Sequence, residues 1–151
     1  MRIDFIQSYT HSLIEFMKKD IEFPVVEGVK ITIARNFNEL NEPEWNVYLI
    51  NRLKSKLTNV FVTSRGYGFD KSGNPIKTSQ LRHFLEDVPA EGIVKVEMIF
   101  PEVFHLNNEY WLSYFIDNQL FDKKFIFVPE SIREENLIRI EQLNLEGILH
   151  E

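Results

Sequence analysis

No cysteine occurs among the 151 residues, which removes disulfides, thiolate nucleophiles and cysteine-based zinc sites together. The four histidines, His11, His83, His105 and His150, show neither His-Glu-x-x-His nor His-x-His spacing, so no metal site is legible. No Gly-x-Ser-x-Gly elbow offers a nucleophilic serine. No glycine loop ends in Gly-Lys-Ser/Thr to cradle a phosphate, and no cofactor motif is found. No stretch approaches the ~20 apolar residues that a membrane helix needs. The N-terminus has no long apolar run and no small-residue cleavage site, so a cytoplasmic location and no membrane partner are expected.

What is present is apolar and aromatic. Hydrophobic residues make up 44% and aromatic residues 13%, with thirteen Phe, enough to fill one core without staples in a chain of this length. Net charge is −6, unevenly spread. Residues 52–95 carry eight Lys and Arg against four Asp and Glu, whereas residues 96–151 carry four against eleven. The middle third is mildly basic, which is compatible with phosphate contact but weaker than the basic face of a dedicated nucleic-acid domain.

Residues 1–23 contain Ile6, Tyr9, Leu13, Phe16 and Met17 at three- and four-residue spacing, the stripe of an amphipathic helix forming an N-terminal extension. Met17 opens MKKDI, which reads as an ordinary bacterial start; translation from there would make the helix dispensable to the fold. From Pro24 to the C-terminus a single β-rich domain is expected. VKITIARNF alternates apolar and polar residues. WNVYLIN and LTNVFVT flank the polar loop Arg52–Lys56 and predict a hairpin. QLRHFLEDV and IVKVEMIF follow, with Pro89 and Gly92 between them. EYWLSYFIDNQLFDKKFIFV reads as a second hairpin turning at Asp117-Asn118, residues that tolerate positive φ. Ser131-Ile132-Arg133-Glu134 has capping-box spacing and predicts a short C-terminal helix. About seven short strands with regular turn signals predict an antiparallel two-sheet sandwich of immunoglobulin-like type.

The stretch SRGYGFDKSGNP, Ser64 to Pro75, carries the sharpest signal. Arg65-Gly66-Tyr67-Gly68-Phe69 matches the first five positions of the RNA-recognition-motif signature, in which rings on a strand stack bases. The sixth and eighth positions, Asp70 and Ser72, depart from it. Two strand-like runs, and no helix, separate it from ITIARNF. The plainer reading places Gly66 and Gly68 at a strand end or bulge, with Tyr67 and Phe69 capping the core. Trp45 and Trp111 lie within strands and read as core, and Lys123-Lys124 fits an edge strand guarded against unwanted pairing. Arg82 and His83 alternate, so only one of them can line a given sheet face.

MKKDI, WNVYLIN, the Ser-Arg-Gly-Tyr run, TSQLRH, LFDKKFIF and the closing GIL resemble a group of short bacterial proteins, over nearly everything from Met17 onward. Some members carry the label phenylalanyl-tRNA synthetase alpha subunit. That label implies a class II catalytic sheet with an arginine-bearing ATP motif and a glycine-rich motif ending in arginine, and neither can be matched here. The resemblance implies a family with no assigned chemistry, tied to RNA or translation by the label alone.

The expected function is a non-catalytic protein-protein interaction module, since no nucleophile, base and oxyanion donor can be named together and aromatics are in surplus. Self-association is its simplest form. The alternatives are single-stranded RNA or tRNA binding, and a small-ligand site in a cavity between the sheets. The residues expected to form a binding surface are Arg65, Tyr67, Phe69, Lys71, Lys77, Arg82 and His83.

Overall fold

The computed structural model describes residues 24–150; the expected N-terminal helix lies outside them. β-Branched and aromatic residues, which suit a pleated surface, build ten strands: β1 (Val29–Phe37), β2 (Pro43–Asn51), β3 (Leu57–Phe69), β4 (Pro75–Lys77), β5 (Leu81–Val88), β6 (Ile93–Ile99), β7 (Asn107–Ile116), β8 (Gln119–Phe127), β9 (Ile138–Ile140) and β10 (Leu145–Leu149). The seven expected strands correspond to β1, β2, β3, β5, β6, β7 and β8. The short β4, β9 and β10 add to them.

The strands pair antiparallel into two sheets. The first has the order β6-β2-β1-β10-β9 and the second β4-β3-β7-β8, with β5 also on β3. Strands β4 and β5 lie end to end along one edge of the 13-residue β3, whose other edge pairs with β7. Alternate residues of both sheets meet in one core: Val29, Ile31 and Ile33 of β1 and Val47 and Leu49 of β2 face Val60 and Val62 of β3, Leu112 of β7 and Phe125 of β8. Trp45 joins this core as expected.

Two local expectations give way. WNVYLIN and LTNVFVT are not a hairpin: β2 belongs to the first sheet and β3 to the second, so Arg52–Lys56 crosses between sheets. Buried Asn51 fixes that crossing. Its Nδ2 donates to the carbonyls of Ser55 at 2.9 Å and Pro89 at 3.0 Å, while its Oδ1 accepts from the Leu53 N–H at 3.1 Å. The C-terminal helix is absent as well, replaced by a three-residue 3-10 turn at Glu134–Asn136. The Ser131 hydroxyl, expected to cap Glu134, donates instead to the Val128 carbonyl at 2.6 Å, so no capping box nucleates a helix. The Asp117-Asn118 hairpin forms, pairing Ile116 with Gln119 and placing Asp117 at φ 53°. No helix of the described residues is long and apolar enough to cross a membrane.

Candidate functional site

Strand β3 answers the question raised by its glycines and rings. Its odd residues Phe61, Thr63, Arg65, Tyr67 and Phe69 face outward, and its even residues Val62, Ser64 and Gly66 face inward. Neither glycine is at a bulge, since the register shifts of β3 lie between Leu57 and Phe61; Gly68 is at the strand end as expected, one residue before Phe69, whereas Gly66 lies within the strand, paired with Asn108. Leu106 covers both of them, together with Thr78 at Gly66. A Cβ on Gly66 would lie 3.1 Å from Thr78 Cγ2 and 3.4 Å from Leu106 Cδ1, and one on Gly68 would lie 3.1 Å from Leu106 Cδ2. Packing beneath the strand thus leaves little room for a Cβ at either position, and Tyr67 and Phe69, which alternate with the glycines, turn to the other face. Tyr67 and Phe69 do not cap the core.

The pairing register extends this face across the second sheet in rows. Phe84 of β5, Phe61 of β3, Ser113 of β7 and Asp122 of β8 form one row. Arg82, Thr63, Trp111 and Lys124 form the next. Beyond them Arg65 pairs with Glu109, Tyr67 lies between Lys77 and Asn107, and Phe69 pairs with Pro75. The large side chains are open to solvent: Phe61 is 46% exposed, Phe84 53%, Trp111 44% and Phe69 68%. Trp111, expected in the core, is on the outer face because its parity is that of Glu109 and Ser113 rather than that of Tyr110, Leu112 and Tyr114.

Side-chain contacts hold these rings in place. Phe61 and Phe84 stack with centroids 4.7 Å apart and planes at 30°. Lys124 Nζ lies 4.6 Å from the Trp111 centroid, and the indole N–H donates to Asp122 Oδ1. The Arg65 guanidinium lies 5.2 Å from the Tyr67 centroid and donates through Nε to Glu109 Oε2 at 2.7 Å. The Glu109 side chain is only 6% exposed against 49% for Arg65, so the arginine neutralises a carboxylate that would otherwise be buried unpaired. That contact also raises the Arg65 pKa above its ordinary value.

Of the seven residues expected to form a binding surface, five share this face: Arg65, Tyr67, Phe69, Lys77 and Arg82. Lys71 sits instead in the β3–β4 turn, beside a hollow formed with Phe69, Ile76 and His105. That turn is closed by Asp70, whose Oδ1 accepts the Asn74 N–H at 2.8 Å and the Ser72 N–H at 2.9 Å. These bonds, Asn74's first, hold its carboxyl below the usual carboxylate range. His83 points inward, where Nε2 lies 3.2 Å from Glu97 Oε1 on β6. Phe61 was legible by parity with Arg65 and Tyr67. Phe84 and Lys124 required the strand register.

The two strands that a recognition motif would set side by side, β1 and β3, lie in different sheets, so the Gly-aromatic run does not belong to that fold. Among the described residues no group of three or more His, Asp or Glu could hold a metal ion. The arrangement offers contact chemistry: flat apolar rings, with the cations of Arg65 and Lys124 held over two of them. Compared with protein families, curated proteins and solved structures, the chain matches none.

Proposed function

We propose that the chain is an immunoglobulin-like sandwich of the cytoplasm acting as a non-catalytic protein-protein interaction module. Its contact surface is the outer face of β5, β3, β7 and β8, and its partner is a second copy of the chain. The observation that carries this reading is the exposed Phe61–Phe84 stack beside Trp111. Rings and arginine are the residues enriched where interfaces concentrate binding energy. Both signs of charge share the face: Arg82, Lys77 and Lys124 with Asp122, while Glu109 is paired with Arg65. An isologous pairing of such a surface can set cations over carboxylates. For the fold, β1-β2-β6 opposite β5-β3-β7-β8, with the chain crossing from β2 to β3, from β5 to β6 and from β6 to β7, agrees with a Greek-key sandwich of this type.

Single-stranded RNA is the second reading, favoured by the open ring of Phe69, by Lys77 in the neighbouring row and by Arg82 farther along the same face. It is weaker because base stacking needs free ring faces. Phe61 lies against Phe84, Lys124 covers Trp111, and Arg65 covers Tyr67. The net charge of −6 also opposes binding to a polyanion.

Size-exclusion chromatography with light scattering tests the proposal. The wild-type chain is expected above monomer mass, and the Phe61→Glu/Trp111→Glu double variant at monomer mass with an unchanged circular dichroism spectrum. A wild-type chain that stays monomeric rejects the second copy. If it also shifts single-stranded RNA at low salt, and Tyr67→Ala abolishes the shift, the face passes to RNA.

A further inference from the structure

The sandwich is open on the side where β4 and β5, at the edge of the second sheet, approach β6, at the edge of the first. A cleft of about 340 Å³ enters there, at the small end of the range for small-molecule sites. Leu81, Ile99, Phe100 and Val103 supply apolar lining, and buried Ser64, Asn108 and Tyr110 supply polar groups. Glu97 is the single acidic side chain of the lining.

Glu97 is an unusual occupant. It sits on β6 opposite Val47, on the face turned toward the core, and its side chain is 17% exposed. Among the described residues only its Oε1 has a partner, His83 Nε2 at 3.2 Å. Arg65, the one arginine of the lining, turns its guanidinium to the outer face and to Glu109. The carboxylate is therefore held in a part-buried, largely apolar site with one oxygen left over for a donor. Its charge reaches the neighbouring phenol: burial first, and then Glu97, push the Tyr110 pKa up.

We infer that this cleft binds small molecules carrying a cationic amine on a compact apolar body, with the ammonium on Glu97 and the body against Leu81, Phe100 and Val103. A charged donor meeting a part-buried carboxylate gives a stronger hydrogen bond than a neutral one, and the apolar lining rewards a hydrocarbon body. The competing role for Glu97 is protective, because an inward-pointing charge on an edge strand discourages pairing with another chain. The inference is independent of the outer face, so the Phe61→Glu/Trp111→Glu variant keeps the site.

NMR titration of the full chain with 2-phenylethylamine, 2-phenylethanol and 3-phenylpropionate separates the two roles. The amine is expected to give saturable shifts at Ser64, Leu81 and Ile99, the alcohol weaker ones and the carboxylate none. Glu97→Gln preserves side-chain size and should weaken the amine about tenfold or more. Leu81→Trp, at the mouth, should reduce binding of the amine without removing Glu97. No saturable response to the amine, equal responses to all three probes, or unchanged affinity in a folded Glu97→Gln variant would overturn the inference and leave Glu97 as an edge guard.

Discussion

The inner face of the second sheet carries Tyr110, Tyr114, Phe125 and Phe127, all buried against the first sheet. The outer face of the same four strands carries Phe61, Phe84 and Trp111, each close to half exposed. Both phases of the two-residue repeat are aromatic, so ring content alone does not say which side is core. What differs is the company the rings keep. Inside, Leu112, Val62 and Ile33 surround them; outside, their neighbours are Arg82, Lys124, Asp122 and Glu109. The contrast is one of degree, since Lys123 Nζ lies 4.9 Å from the centroid of the buried Phe125 ring.

Truncating one ring on each side gives the largest effect and the most direct way to break this contrast. Phe125→Ala, at a fully buried position, should destabilise the fold by about 3–5 kcal/mol. Phe84→Ala should cost no more than about 1 kcal/mol, mostly its stacking on Phe61. Urea unfolding followed by circular dichroism measures both, and equal losses would erase the distinction between the faces. A smaller effect of opposite sign is expected at Tyr114. Its hydroxyl is buried with no partner among the described residues, and burial pushes the phenol up to about 12. Tyr114→Phe should stabilise by about 1 kcal/mol, whereas Tyr67→Phe on the outer face should change little.

The smallest expected effect is in pH dependence, and it sharpens the inner side alone. The ring of His150 packs edge-on to those of Phe125 and Phe127 at 5.4 and 5.7 Å. Burial first, then the charges of Lys123 and Lys30, lower its pKa from the ordinary 6.5. The unfolded chain therefore takes up the proton more readily than the folded one, so stability is retained above about pH 6.5 and falls as pH drops through the lowered folded value. Thermal melts at pH 7.5 and 5.5 should show a decline that His150→Gln reduces. An identical decline in the variant would locate the titration elsewhere.

Much of the sandwich was legible because seven runs of β-branched and aromatic residues lie between turn signals. The sheet assignment of each strand was not. Arg52–Lys56 has the length of a hairpin loop, and the crossing is set by the long-range partners of β2 and β3 and by the bonds of Asn51 to Ser55 and Pro89. Ser131 to Glu134 had the right residue types for a cap, but a local bond to Val128 took the serine hydroxyl. For the outer face, Arg65, Tyr67 and Phe69 could be read from one strand by parity. Phe84 and Lys124 join them through pairings whose partners are distant in sequence. The glycines beside the rings read as strand-end or bulge residues; the crowding at them comes from Leu106, some forty residues away, and at Gly66 also from Thr78.

Strand β1 is flanked on one side by β2, its neighbour in sequence, and on the other by β10, so that the Thr32 hydroxyl bonds to the Ile148 carbonyl across 116 residues. During synthesis at ~5–20 residues per second, that side of β1 waits on the order of 10 s for its partner to emerge. Throughout that interval an apolar strand offers unpaired N–H and C=O groups to any other nascent chain. Slower translation over the second half of the message should accordingly lengthen that exposure and lower the yield of native protein.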